Sequence, residues 1–435
     1  MKKIYVVLAI LSFVSFSASG VTRVSFPESF ADGWDSYCGQ TVQFTTPLYV
    51  CGVYYDSLLL SPRRLFVPEE HACGLADGDS TEYRVLLEAN RRDIIKLQAK
   101  YYPYQIMTGS VIYNLKARVV GDRHLLTGQT PTFRHNKPSK KVPCVGKATL
   151  RVCASNIQNF FYDLGGYASA KTREQQDVQT LKVAKGLTHI GADIYALCEI
   201  EKGNTAPKVL VDKMNELTHS QRYAYIDNGH TNGDTISVGY IYRQDRVRPY
   251  GETQYAYNDP TNLYHYRFMA HGFEEIKSGE RLVISVNHPR SKRGNPAYSN
   301  SVRMNNIDSL LTMINRVKEE DLFDDEDILI VGDFNCYTQE QPIQYLIRQG
   351  YEDVLMKYDS TGYSYVYRGE AGYLDRVFAN PSMAAQVTGV HPIHLNADCF
   401  YSLGYKNKRN KTMHRYSDHD PILIGIRLNS DAHNR

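Results

Sequence analysis

At 435 residues the chain is too long for one ordinary domain, and its 42% of hydrophobic residues is enough to fill two cores. A formal charge of +3 neither demands nor excludes a polyanionic partner, so local clusters of charge must decide. Beyond the N-terminus no apolar run is long enough to cross a bilayer, which argues against an integral membrane protein. None of the eight cysteines has zinc-finger spacing, which argues against a structural zinc site.

Lys2-Lys3 is a charged start, Ile4 to Phe16 is a mostly apolar run, and Ser17-Ala18-Ser19-Gly20 is a tract of small residues. That order predicts a signal peptide over residues 1–20 and export to the periplasm or the medium. The first cysteine, Cys38, lies far from the cleavage region, so a lipid anchor is not expected. Cysteines of an exported protein can pair, and Cys38, Cys51 and Cys73 could hold one bridge.

Residues 21–130 predict a β-rich domain. Thr41 to Tyr55, Ser57 to Phe66, Tyr83 to Glu88 and Gly109 to Val120 are rich in Val, Tyr and Thr, with turns between them. A helix-like stretch, Ala89 to Tyr101, interrupts them. A small barrel, OB-like in kind, is the simplest packing. Such barrels bind nucleic acid through aromatic and basic faces, and a spacer role is the competing reading. Pro131 to Pro143 is proline-rich, polar and basic, which predicts a linker over 131–147.

From Ala148 to the end the pattern alternates between strand and helix. Strands are expected at Thr149–Ser155, Asp193–Ile200, Thr235–Arg243, Arg281–Asn287, Asp327–Val331, Tyr363–Tyr367, Leu374–Ala379 and Ile422–Leu428. Helices are expected at Lys171–Ile190, Pro207–Leu217, Ser301–Val317 and Gln341–Arg348. Some strands are continuous apolar runs and others alternate. The mixture predicts an α/β (α+β) architecture of two stacked sheets flanked by helices. The acidic run Glu319 to Glu326 reads as a solvated loop.

The strand ends carry the polar residues. Ser155-Asn156-Ile157-Gln158-Asn159 follows one strand and Cys198-Glu199-Ile200-Glu201 ends another. Asn287-His288-Pro289-Arg290-Ser291-Lys292, Gly332-Asp333-Phe334-Asn335 and Leu374-Asp375-Arg376 follow in turn. Ser417-Asp418-His419-Asp420-Pro421 precedes the last apolar run. Layered folds place ligand sites at strand ends. Carboxylates without a Cys/His ligand set favour a hard cation: Mg²⁺ first, with Ca²⁺ or Mn²⁺ as substitutes. A hard cation beside two histidines and Asn, Arg and Lys donors suits cleavage of a phosphate ester.

Taken in order, SNIQNF, CEIE, NHPRSK, GDFN, YLDR and SDHDP resemble the endonuclease/exonuclease/phosphatase superfamily, whose best-known members are the DNase I-like nucleases. With its signal peptide and β-rich N-terminal region, the chain most resembles the bacterial extracellular nucleases of that group. The resemblance spans roughly residues 148–430. It implies that Glu199 is a metal ligand and Asn156 supports the metal and phosphate. It implies that Asp333 orients or deprotonates the attacking water, with Asn335 binding phosphate beside it. His419 would sit at the scissile phosphate, oriented by Asp375, and Asp418 would be a further metal or water ligand. His288 would be the second active-site histidine, with Asp234 as its partner and Arg267 as a phosphate contact. Two departures stand out. Cys198 occupies a position where the family usually has glutamine, and Pro289-Arg290 replaces an apolar residue followed by lysine.

Arg290, Lys292 and Arg293, and then Lys406, Lys408, Arg409 and Lys411, form two basic loops close in sequence to these residues. Their natural partner is a phosphate backbone. The expectation is therefore an exported, metal-dependent nuclease acting on DNA, with RNA as a second polymer. The alternative is a phosphatase or phosphodiesterase of the same fold acting on lipid or inositol phosphates. That alternative predicts an exposed apolar hairpin or an extended cationic pocket, and the sequence shows no such hairpin. A binding protein without activity is the third reading, and it predicts lost metal or His positions that are not lost.

Overall fold

Leu150–Phe160 and Ile194–Glu201 each open on a mostly apolar stretch and end on polar residues, and they lie parallel with both faces largely buried. The computed structural model that shows this describes residues 20–25, 34–54, 57–70, 85–88, 107–121, 123–127, 131–227, 236–257, 262 and 267–428. The expected signal peptide and the helix-like 89–101 stretch lie outside the described residues, as do Cys73 and Asp234.

The two parallel strands centre a six-stranded sheet. Ile422–Ile426 runs antiparallel beside the first, and Ile236–Arg243 antiparallel beside the second. A second six-stranded sheet repeats the plan. There Arg281–Asn287 and Ile328–Asp333 are the parallel pair, with Asp375–Ala379 antiparallel beside them. Val152, Ala154, Ile194 and Ala196 of the first sheet meet Ile284, Val286, Leu329 and Val331 of the second in one shared core. Helices Arg173–Ile190 and Thr205–Thr218 cover the outer face of the first sheet through Val183, Leu187, Leu210 and Met214. Pro296–Glu319 and Gln341–Arg348 cover the second through Ile307, Leu310, Ile314 and Leu346. The expected sandwich is therefore present, with mixed sheets between helices.

Two strands of the second sheet, Val247–Tyr255 and Phe268–Glu275, have no counterpart among the expected elements. Pro249 and Gly251 make the first read as a turn. In the fold it is an edge strand whose ladder slips between Tyr250 and Gln254, with Gly251 at φ 71°.

The expected β-rich N-terminal region is present: among the described residues its strands form one nine-stranded sheet. Thr132–Arg134, expected in the linker, is its edge strand, paired with Val111–Tyr113, and Phe133 packs on that sheet's core. Leu65–Phe66 stands outside this sheet and pairs in parallel with Glu370–Gly372, in a separate three-stranded sheet. Cys38 is exposed and Cys51 is buried, and the two do not bridge each other. Among the described residues no helix is long and apolar enough to cross a membrane.

Candidate active site

The parallel strands of both sheets end, and their antiparallel neighbours begin, along one edge of the sandwich. That arrangement gathers residues from six segments. Asn156 and Glu199 come from the first parallel pair. His288 follows Asn287, and Asp333 closes its strand directly opposite Asp375 in the register. Asp418 and His419 immediately precede Ile422–Ile426.

Irregular backbone aims these side chains. The ladder slips between Cys198 and Ile200, where Glu199 takes φ 64°. Gln158 and Asn159 are also left-handed, and the Asn159 N–H donates to Glu199 Oε2 at 2.9 Å. Asn335 sits at φ 51°. Residues other than glycine in this region carry a conformational cost and are characteristic of functional sites. At Gly332 (φ 135°) a Cβ would lie 2.1 Å from the Asn287 carbonyl oxygen, so only glycine permits the close crossing of the two strands.

His419 Nδ1 bonds Asp375 Oδ2 at 2.9 Å, and the Ser364 hydroxyl donates to the same oxygen at 2.6 Å. This fixes the His419 tautomer and leaves Nε2 facing Asp333 Oδ2 at 3.8 Å. Asp333 accepts from Asn156 Nδ2 at 3.1 Å and from the Asn335 N–H at 2.9 Å. The Tyr365 ring lies against the His419 ring, with centroids 4.5 Å apart. Cys198 also has a place here: its Sγ donates to the Asn287 carbonyl and accepts the Asp333 N–H at 3.5 Å.

Glu199, His288 and Asp333 offer ligand atoms that all lie within 4.8 Å of one another. His288 Nε2 is 3.8 Å from both carboxylates. His288 Nδ1 is buried and unbonded. Burial, helped by Arg267 and His419, drives the His288 pKa well below its ordinary value and keeps the ring neutral. Burial likewise raises the Glu199 carboxyl, and the charge of Asp418 adds to it. Burial, with Asp375 and Glu199 adding to it, pushes Asp333 up to about 7. Burial opposes a charge on His419, yet Asp375 and Asp333 outweigh it and hold that imidazole well above its usual range. A pair of carboxylates kept costly to ionise until a cation arrives is a donor set that fits a hard divalent ion.

The expected site residues divide clearly. Asn156, Glu199, His288, Asp333, Asn335, Asp375 and His419 converge. Asp418 acts on Glu199 by its charge but stands outside the three-residue ligand group that includes His288 and Asp333. Arg267 lies near enough to His288 for its charge to be felt, and its carbonyl accepts the His288 N–H. The Arg290 guanidinium lies over the ring of Tyr298, and Lys292 pairs with Glu340. Ser364 and Tyr365 were not anticipated. Their only signal was the aromatic alternation Tyr363-Ser364-Tyr365-Val366-Tyr367.

A family model described as the Endonuclease/Exonuclease/phosphatase family matches residues 154–419, more than half of the chain. No curated relative matches the sequence. Solved structures that resemble it include an endonuclease/exonuclease/phosphatase from Bacteroides vulgatus, with 16% identity and TM-score 0.45 over 64% of this chain and 99% of that one. A mannosyl-6-phosphatase from Bacteroides thetaiotaomicron is 16% identical, with TM-score 0.45 over 64% of this chain and 100% of that one. An AP endonuclease from Archaeoglobus fulgidus is 11% identical, with TM-score 0.42 over 64% and 100%. These likenesses are too distant to say what this chain acts on.

Proposed function

We infer what the cleft does from one premise: the chain belongs to the Endonuclease/Exonuclease/phosphatase family, whose members hydrolyse phosphoester bonds. Our reading is an exported, divalent-metal-dependent nuclease that hydrolyses phosphodiester bonds of DNA, with RNA as the second polymer to test. The observation that carries it is the convergence of the Glu199–His288–Asp333 group with the Asp375-backed imidazole of His419. Support for a polymeric substrate comes from the exposed cations at Lys292, Arg293, Lys406, Arg409 and Lys411 on the loops leading to His288 and Asp418.

Glu199 and Asp333 would hold Mg²⁺, with Ca²⁺ or Mn²⁺ as substitutes and His288 beside them. Bound there, the ion would offset charge building on the phosphoryl oxygens. The protein's own groups do the rest. Asp333, 3.8 Å from the Nε2 of both His288 and His419, is placed to orient the attacking water and take its proton. Asn156 and Asn335 hold its carboxylate in one orientation. His419, kept protonated by Asp375, presents Nε2–H to the phosphate or to the leaving oxygen.

The test is cleavage of circular plasmid DNA by the full-length chain, with and without a chelator, beside panels of RNA, phosphoinositides and sphingomyelin. Chelator-sensitive opening of the circle is expected, and only an endonuclease produces it. Hydrolysis of the lipid or inositol phosphates with intact plasmid would transfer the assignment to the phosphatase alternative.

A further inference from the structure

We propose that Glu70, with the short strand that precedes it, is a positioning element of the active site. The N-terminal unit would then be part of the catalytic scaffold rather than a spacer. This rests on the assignment of His419 and Asp375 made above.

Glu70 and Arg376 are both fully buried. Arg376 Nη2 donates to the two Glu70 oxygens at 3.3 and 3.1 Å. Arg376 is the residue after Asp375 and stands opposite Gly332 in the register. Its Nε reaches the Cys336 carbonyl and its Nη1 reaches Asp353, each at 3.4 Å. Glu70 also accepts from the Thr338 hydroxyl at 2.7 Å, while the Gln339 N–H donates to the Glu69 carbonyl at 2.7 Å. One carboxylate from the N-terminal unit therefore ties the segment bearing Asp375 to the turn that follows Asp333.

A second, apolar connection runs to the same dyad. Val67 packs with Tyr337 and Leu374, and Tyr365, whose ring lies on His419, packs against that group. Leu65–Phe66 supplies the third strand to the Tyr365–Tyr367 and Glu370–Gly372 hairpin, continued by the Val67 N–H to the Ala371 carbonyl at 2.9 Å. Ser364, which holds Asp375, enters that hairpin. A buried charge that loses its partner must reorganise its surroundings. At Arg376 those surroundings are the strand that carries Asp375 and the turn that follows Asp333, the two segments that hold the acids facing His419.

The experiment uses the full-length chain and plasmid cleavage, with each variant assayed well below its own melting midpoint. Glu70→Ala is expected to lower kcat by about 10–100-fold with KM nearly unchanged, the range typical of lost outer support for a site. Glu70→Gln, which keeps the hydrogen-bond acceptor, is expected to recover part of that loss. Arg64→Ala breaks a different contact of the N-terminal unit, the Arg64–Asp398 ion pair at 3.0 Å, and is expected to retain wild-type kcat. If Glu70→Ala does not fold, Glu70→Gln and Thr338→Val carry the test, each with a several-fold lower kcat expected. A folded Glu70→Ala protein with wild-type kcat, or an equal loss in Arg64→Ala, overturns the proposal. The ¹⁵N shifts of the His419 ring give a readout independent of substrate. They should move in Glu70→Gln, and identical shifts would refute the coupling even if the wild type proved to cleave something other than DNA. A wild type inert on plasmid, by contrast, counts against the nuclease reading alone.

Discussion

His419 Nδ1 lies 2.9 Å from Asp375, and His394 Nδ1 lies 2.8 Å from Asp420, the residue next to His419. By the geometry of the pair the two are equivalent, but their surroundings are not. Asp420 spends its other oxygen on the backbone N–H groups of Asn396 and Ala397, and His394 stacks flat on Tyr363. That carboxylate fastens a loop. Asp375 instead shares its bonded oxygen with Ser364, and the free nitrogen of His419 faces Asp333, which in turn faces His288 and Glu199. A histidine–aspartate pair becomes catalytic through what lies across the second ring nitrogen, not through the pair itself.

The sharpest way to break this comparison is to remove the face that differs. His419→Ala and Asp333→Ala should each lower plasmid cleavage by at least about 10²–10⁴-fold. Circular dichroism should show both folded, and full activity in either would refute the assignment. Asp375→Asn keeps a hydrogen-bonding group but removes the charge that orients and stabilises the ring. A loss of roughly 10²-fold or more in kcat is expected, smaller than in the His419 variant. Glu199→Gln should weaken Mg²⁺ binding measured by calorimetry, whereas Asp418→Asn should affect it far less, because Asp418 lies outside the ligand group.

The other pair should behave in the opposite way. His394→Ala is expected to keep cleavage within a few-fold of wild type while lowering stability by about 1–2 kcal/mol, the scale of a charge-assisted hydrogen bond. The smallest effect is its pH dependence. Burial lowers the His394 pKa, but the bond to Asp420 and the charge of Asp420 more than reverse this, so the folded value lies above 6.5. The unfolded chain therefore releases this proton first as pH rises. The pair's contribution is complete below about pH 6.5 and fades as pH climbs through the folded value. Melting curves of wild type and His394→Ala should converge from pH 6 towards alkaline pH.

Much of the sandwich could be read from the chain in isolation. Arg281–Asn287 and Gln341–Arg348 lie where their patterns place them, because apolar period and flanking breakers are local properties. The residues of the site were legible for a similar reason: Asn156, Glu199, His288, Asp333, Asp375 and His419 each stand where an apolar run gives way to polar residues. What local pattern could not carry was everything set by contacts between distant segments. The edge strand Val247–Tyr255 looks like a turn until Phe268–Glu275 pairs with it. Thr132–Arg134 looks like linker until Val111–Tyr113 accepts it. Which carboxylate bonds each ring of His394 and His419 is decided only by folding. Glu70 is one acid among many until folding buries it against Arg376, more than 300 residues away. Composition and periodicity act along the chain, whereas burial, register and the fields between charges act across space, and only the tertiary structure sets those.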